Sequence, residues 1–317
     1  MKILVTGGCG YQGSILVPKL LKEGHKVIVV DTMWFNNYLK KNKNLRIFKK
    51  DIRYFNFSEI KKIDTIIHLA AVANDRMADL SEKHSWEIST LGTMNIIEQA
   101  IKYRVKNFIF ASSSSVYGIK KEKKVHEGLK LEPISTYNKA KMITERILLS
   151  YKNKINLTII RPATVCGFSP RMRLDVSVNM LTYQALTKGK ITVFGGKQIR
   201  PNIHIDDLVD LYLFIIKKKI SGIYNAGFEN LSILNIAKKI KKKINCEIKI
   251  IKNNIDVRSY RVDSSKLLNK GFRPKKTIDD AVNEINYLFK IKKLKNDKSF
   301  FSINWLKNNK NKLLFNE

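Results

Sequence analysis

Negative charge is scarce in this chain: 27 of its 317 residues are acidic against 60 lysines and arginines, a formal net charge of +33. Cysteine is scarcer still. Cys9, Cys166 and Cys246 show neither metal-ligand spacing nor a pairing logic, which argues against a disulfide scaffold and suits a reducing cytoplasm. No apolar stretch approaches the roughly 20 residues that a membrane-spanning helix needs. Met1 runs straight into a strand pattern, so a cytoplasmic chain with no signal peptide and no membrane partner is expected. Glycine-, serine- or proline-rich linkers and internal repeats are missing too, which excludes a string of tethered modules or a solenoid. The charge excess raises nucleic acid as a partner. Its lysines, however, are spread over almost every predicted helix and loop, and the densest runs, 238–243 and 288–312, hold few aromatics for base stacking. No nucleic-acid partner is expected. A basic surface would instead hasten the arrival of an anionic substrate, an effect that fades with salt.

The amino terminus carries the first positive signal. Residues 2–6, KILVT, form a short apolar run with β-branched members, which suits a buried parallel strand. A glycine turn follows, then a helical pattern through Ile15, Leu16, Leu20 and Leu21. Gly7, Gly10 and Gly13 are spaced G-x-x-G-x-x-G: the first allows a tight turn, the second lets backbone approach a pyrophosphate, and the third lets the helix lie against the sheet. Amides at the helix start, around Tyr11 and Gln12, would face the phosphates. Asp31 ends the next strand, 24 residues beyond Gly7, where a carboxylate accepts hydrogen bonds from an adenosine ribose. Its charge repels a 2′-phosphate and residues 32–39 contain no arginine, so NAD is expected as the cofactor rather than NADP.

A second signal is the spacing of Tyr137 and Lys141 in STYNKAK. On a helix, i and i+4 share one face, a turn apart. A phenol with a pKa of about 10 is a poor base at neutral pH, and a nearby ammonium favours its phenolate. Alone the pair is weak in so lysine-rich a chain. Its weight comes from the strand, glycines and acid that precede it.

Taken in order, TGGCGYQG, Asp31, Asp51-Ile52, HLAAVA, SSSSVYG, YNKAK and RPATVCG resemble the extended short-chain dehydrogenase/reductase family, most of whose members act on nucleotide-activated sugars. The resemblance runs to about residue 285 and is strongest in the first 170. It implies that Asp51 and Ile52 border the adenine, that Leu69, Ala70 and Ala71 line the dinucleotide near its phosphates, and that Pro162 lies near the nicotinamide. Ser113, Tyr137 and Lys141 match the family's catalytic serine, tyrosine and lysine, with Tyr137 and Lys141 also touching the cofactor. Two departures stand out. Ser89 occupies the place of an asparagine common in relatives, and Ser114-Ser115 replace the aspartate-glutamate pair usual in 4,6-dehydratases, which argues against water elimination.

The mechanism expected is C4 chemistry on a nucleotide-diphosphate sugar. Ser113 holds the C4 hydroxyl, Tyr137 removes its proton, and C4 passes a hydride to NAD, giving a 4-keto sugar. Return of the hydride to the other face makes an epimerase. Loss of the ketone would make a net 4-dehydrogenase or reductase, and a non-catalytic NAD-binding regulatory or RNA-binding module is the alternative of a different class. Among the few arginines, Arg171, Arg173, Arg200, Arg258 and Arg261 stand out as candidates to grip a diphosphate. Arg200 and Arg258 are favoured, with Asn179 as a further polar contact to substrate. His68 and His204 are expected to be structural, as are Asp206 and Asp207 at the start of a helix; no metal site is expected.

Alternating strands and helices predict an α/β, Rossmann-like doubly wound parallel sheet with a smaller carboxyl-terminal α/β substrate lobe. The division expected is 1–165 for the NAD-binding domain, with 200–226 returning to it, and 166–199 plus 227–317 for the substrate lobe. By resemblance, a homodimer would pair through long helices at about 81–103 and 134–151.

Overall fold

The computed structural model describes residues 1–60, 62–252, 258–294 and 297–309. Its strands in chain order are β1 (Lys2–Thr6), β2 (Lys26–Asp31), β3 (Leu45–Lys49), β4 (Thr65–His68), β5 (Asn107–Ala111), β6 (Asn156–Pro162), β7 (Thr164–Cys166), β8 (Lys190–Phe194), β9 (Ile199–His204), β10 (Gly222–Ala226), β11 (Glu229–Ser232) and β12 (Glu247–Ile251). Seven of them form one parallel sheet in the order β10-β6-β5-β4-β1-β2-β3. Strand order reverses between β1 and β4, and at such a point loops from neighbouring strands part to leave a crevice at the carboxyl ends.

Successive residues of a strand face opposite sides of the sheet, so burial on both sides requires unbroken apolar runs. That is how β1 and β2 behave: Leu4, Ile28 and Val30 join one core while Ile3, Val5, Val27 and Val29 join the other. Helices Gly92–Lys102 and Thr136–Ser150 cover the first face, and Gly13–Lys22 and Ile205–Lys218 the second. The remaining strands make two small sheets, β11-β9-β7 and the parallel pair β12-β8, which pack with helices Ser177–Lys188, Ile233–Lys241 and Ile278–Lys290. β9 therefore lies outside the large sheet and β10 inside it. The helix expected over 81–103 is interrupted. Glu82–Trp86 and Gly92–Lys102 are α-helical, and Glu87–Leu91 between them is a π-turn.

One buried polar network joins the second long helix to the sheet. Arg161 of β6 donates to both oxygens of Glu145 on helix Thr136–Ser150, at 2.6 Å for the closest pair. Ser112, after β5, also donates to Glu145. Arg161 reaches Tyr117 Oη at 2.8 Å, and that phenol donates to Asn225 of β10 at 2.8 Å. Breaking a buried pair by neutralising one member leaves an uncompensated charge, at a cost of about 3 kcal/mol or more. Glu145→Gln is therefore expected to lower the free energy of unfolding in urea by about that amount; a change below about 1 kcal/mol would contradict the role given to the pair.

Candidate active site

The carboxyl ends of β1, β2 and β4 open into a cleft walled by Gly7, Gly10, Tyr11, Gln12, Gly13, Asp31, Asp51, Ile52, Leu69, Ala70 and Ala71. The glycine turn leaves no room for side chains. Gly7 has φ +71°, and a Cβ there would stand 2.7 Å from the Ala70 nitrogen; one on Gly13 would stand 2.3 Å from the Gly8 carbonyl oxygen. Asp31 accepts the Cys9 amide at 2.9 Å and the Met33 amide at 2.7 Å. Burial pushes its pKa up, against those two amides and Arg171. Asp51 lines the cleft too, but its carboxylate is paired with Arg53 at 2.9 Å. A glycine cradle, an apolar wall and a carboxylate at the end of the second strand fit a dinucleotide.

Ser135 caps the helix Thr136–Ser150 by accepting the Asn138 amide, which puts Tyr137 in the first turn and Lys141 one turn on. Lys141 is 4% exposed, donates to the Ala111 carbonyl at 2.7 Å and lies 4.7 Å from the Phe110 ring centre. Burial pulls its pKa down to about 7, with Glu145 opposing. Tyr137 moves the opposite way: burial lifts its phenol to about 12, a hydrogen bond with Ser113 lowers it, Asp75 raises it and Arg173 lowers it. Lys141, expected to make the phenol acidic, is not among the groups that act most on it here, because its ammonium is turned to the Ala111 carbonyl. Ser113 lies at the end of β5 and caps the turn Ser114–Tyr117, its hydroxyl 2.7 Å from that of Ser115. Pro162 ends β6, buried beside Ala226 of β10.

The arginines divide into two groups. Arg200 donates to the Arg258 carbonyl, and Arg258 pairs with Asp75 at 2.9 Å. Asp75 also accepts from Ser135, while Tyr260 lies 3.4 Å from the Ser114 hydroxyl. Asp75 and Tyr260 thus join Ser113 and Tyr137, though neither belongs to a motif that would mark it in sequence. Arg171 and Arg173 go elsewhere, into the wall of the cleft. An arginine does approach Asp31, then, from position 171 rather than from 32–39. Asn179 is fully buried: it accepts the Gly167 amide at 3.0 Å and donates to Tyr11 Oη at 3.0 Å and to the Arg173 carbonyl at 2.9 Å, and so ties these three segments together.

His68 and His204 are each held by hydrogen bonds. His68 sits between Thr6 and Thr93 hydroxyls at 2.8 and 2.9 Å, and burial holds it neutral, its pKa down to about 3. His204 caps helix Ile205–Lys218 by accepting the Asp206 amide at 3.1 Å, and its other nitrogen meets Glu284 at 3.2 Å. Capping was expected of Asp206 and Asp207. Asp207 instead takes the amides of Lys275 and Lys276.

Residues 3–227 match the family model described as the NAD dependent epimerase/dehydratase family. A UDP-glucose 4-epimerase of Lactobacillus helveticus is 29% identical over 270 residues, 76% of this chain and 82% of that protein. A dTDP-D-glucose 4,6-dehydratase of Dictyostelium discoideum is 31% identical over 268 residues, 75% of this chain and 61% of that one. Among solved structures, a UDP-glucuronic acid 4-epimerase from Bacillus cereus, in complex with UDP-glucuronic acid and NAD, superimposes with a TM-score of 0.80 at 28% identity, covering 92% of this chain and all of that one.

The position of Lys141 has a consequence for stability. Its folded pKa of about 7 lies below the ordinary 10.5, so between these values the unfolded chain binds the extra proton. Unfolding free energy from this group therefore rises with pH across that window and is lost as pH falls through about 7. Compared with Lys141→Met in urea titrations, the unaltered protein is expected to gain stability between about pH 7 and about pH 9. A flat or falling difference would contradict the assignment.

Proposed function

The chain belongs to the NAD dependent epimerase/dehydratase family, and from that footing we propose that it is an NAD-dependent nucleotide-sugar 4-epimerase working through a transient 4-keto sugar. The observation that carries this reading is the hydrogen bond between Ser113 and Tyr137, with Lys141 one turn further along the same helix and serine at both 114 and 115. Dehydration needs an acid and a base at the carbons that lose water. The hydroxyl of Ser114 is committed to Tyr260 and that of Ser115 to Ser113 and Asn138, and neither titrates near neutral pH.

Each residue then has a task. Ser113 holds the C4 hydroxyl by hydrogen bonding and Tyr137 takes its proton. When bound, NAD would supply the hydride acceptor and donor. Without it, Tyr137 stands at about 12, raised chiefly by burial and lowered in part by Ser113. Lys141, which donates to the Ala111 carbonyl, is assigned to the cofactor ribose. Arg200 and Arg258 are assigned to the substrate diphosphate, which would replace Asp75 as partner of Arg258. In the division that goes with this reading, 1–165 and 200–226 hold the cofactor, and 166–199 and 227–317 read the sugar.

The protein is further proposed to be a cytoplasmic homodimer that binds no nucleic acid. Its three cysteines are free and buried, and among the described residues no helix is long and apolar enough to cross a membrane. Leu91, in the π-turn Glu87–Leu91, and Ile143, on helix Thr136–Ser150, are 55% and 38% exposed, which supports pairing through these elements. Ile143→Glu is expected to shift the species seen by light scattering from dimer to monomer; an unaltered mass would remove that interface.

Incubation with UDP-, dTDP-, GDP- and CDP-sugars, followed by NMR and by cofactor absorbance, tests the activity. One C4 epimer pair should interconvert with no net NADH. Tyr137→Phe should lower kcat by about 10²–10⁴-fold, with NAD affinity kept. Turnover by that variant near the unaltered rate would defeat the reading.

A further inference from the structure

Arg171 is an unusual guanidinium. It is 2% exposed and lines the dinucleotide cleft, its terminal carbon 4.0 Å from the centre of the Phe35 ring. Its Nη1 donates to the Met172 carbonyl at 3.1 Å and its Nη2 to Ser302 Oγ at 2.8 Å, while its Nε has no partner. Among the described residues no carboxylate lies within ion-pair distance of it. Burial, with repulsion from Arg173, pulls its pKa down to about 9, while Asp175 and Asp31 act the other way from beyond ion-pair contact. A buried cation with no anion in contact carries a desolvation cost that distant carboxylates offset only in part. Such a group is stable where an anion completes it, and arginine suits a diphosphate.

Two sets of contacts fix where this cation stands. The loop that carries it is bolted to the glycine turn: Tyr11 Oη donates to the Gly167 carbonyl at 2.6 Å and Ser169 donates to the Tyr11 carbonyl at 2.8 Å. From the other side, the segment 297–309 holds both this loop and the wall beside Asp31. Leu174 donates to the Phe300 carbonyl at 2.9 Å, and the Trp305 indole donates to the Trp34 carbonyl at 2.8 Å. Ser302 itself lines the cleft.

We propose that Arg171 is a cofactor-binding residue: steadied by Ser302, it grips the diphosphate of NAD from a different wall of the cleft than the glycine turn. The carboxyl-terminal segment thereby becomes a clasp on the dinucleotide, well beyond the residues of the glycine motif. The inference rests on the cleft being the NAD site. It suits an epimerase, which must keep its reduced cofactor until the hydride returns.

Calorimetric titration of nucleotide-free protein with ADP-ribose and with adenosine tests this apart from turnover. Arg171→Met is expected to weaken ADP-ribose by at least about tenfold and to leave adenosine binding as it was. Without ligand, its melting temperature should equal or exceed that of the unaltered protein, since a buried charge in no ion-pair contact has gone. Ser302→Ala, which removes one hydroxyl, should weaken ADP-ribose by about threefold and serves alone if the methionine variant does not fold. Unchanged ADP-ribose affinity in either variant overturns the proposal. So does an equal loss for adenosine, or a loss confined to 2′-phospho-ADP-ribose. Absence of epimerase activity with these binding differences intact would instead count against the catalytic reading alone.

Discussion

The reacting end of the cleft depends on the buried pair of Glu145 and Arg161. Helix Thr136–Ser150 carries Tyr137 and Lys141 on one face, but a helix packed by apolar contacts alone could slide or turn on the sheet. The bidentate ion pair to β6, with Ser112 donating from the end of β5, fixes both its depth and its rotation. Once that is set, Lys141 reaches the Ala111 carbonyl and Tyr137 stands beside Ser113. The extension through Tyr117 to Asn225 ties the same helix to β10, the strand the chain adds to the large sheet between β9 and β11. On the proposed reading, the placement of the residues assigned to proton transfer is thus set by this buried network.

Charge is sorted by residue type as well as by place. Among the described residues Lys141 is the one buried lysine, whereas Arg161 and Arg171 are buried and Arg173 lines the cleft. A guanidinium is more weakly hydrated than an ammonium and presents a fork of donors, so it is the cation that can be taken inside at tolerable cost. Among the described residues the other lysines stay at least partly in water and account for most of the molecule's positive charge.

Much of the nucleotide half was legible in sequence because backbone geometry there demands particular residues. Gly7 and Gly13 admit no Cβ, β1 and β2 must be apolar on both faces, and Asp31 must end the second strand. β3 was missed because it is an edge strand whose residues are half-exposed or exposed, so its pattern among lysines carries no apolar signature. The π-turn at Glu87–Leu91 has no periodicity of its own. Arg171 and Arg173 were grouped with Arg200 and Arg258 because residue type predicts an anion but not which anion; only the fold separates them. Asn179 poses a similar difficulty, since an amide that staples backbone looks the same in sequence as one that meets a ligand. The acidity of Tyr137 also needed coordinates: i,i+4 spacing puts Lys141 on the same face, yet the side chain spends its ammonium elsewhere.

The account turns on hydride leaving and returning to the same carbon. Incubating the protein with UDP-glucose deuterated at C4, or with the corresponding label in whichever sugar nucleotide it accepts, and reading the product by NMR tests this most directly. The account predicts an inverted C4 that keeps its deuterium, with none lost to water. Deuterium washed into solvent, or carried to C6 with loss of water, would contradict it.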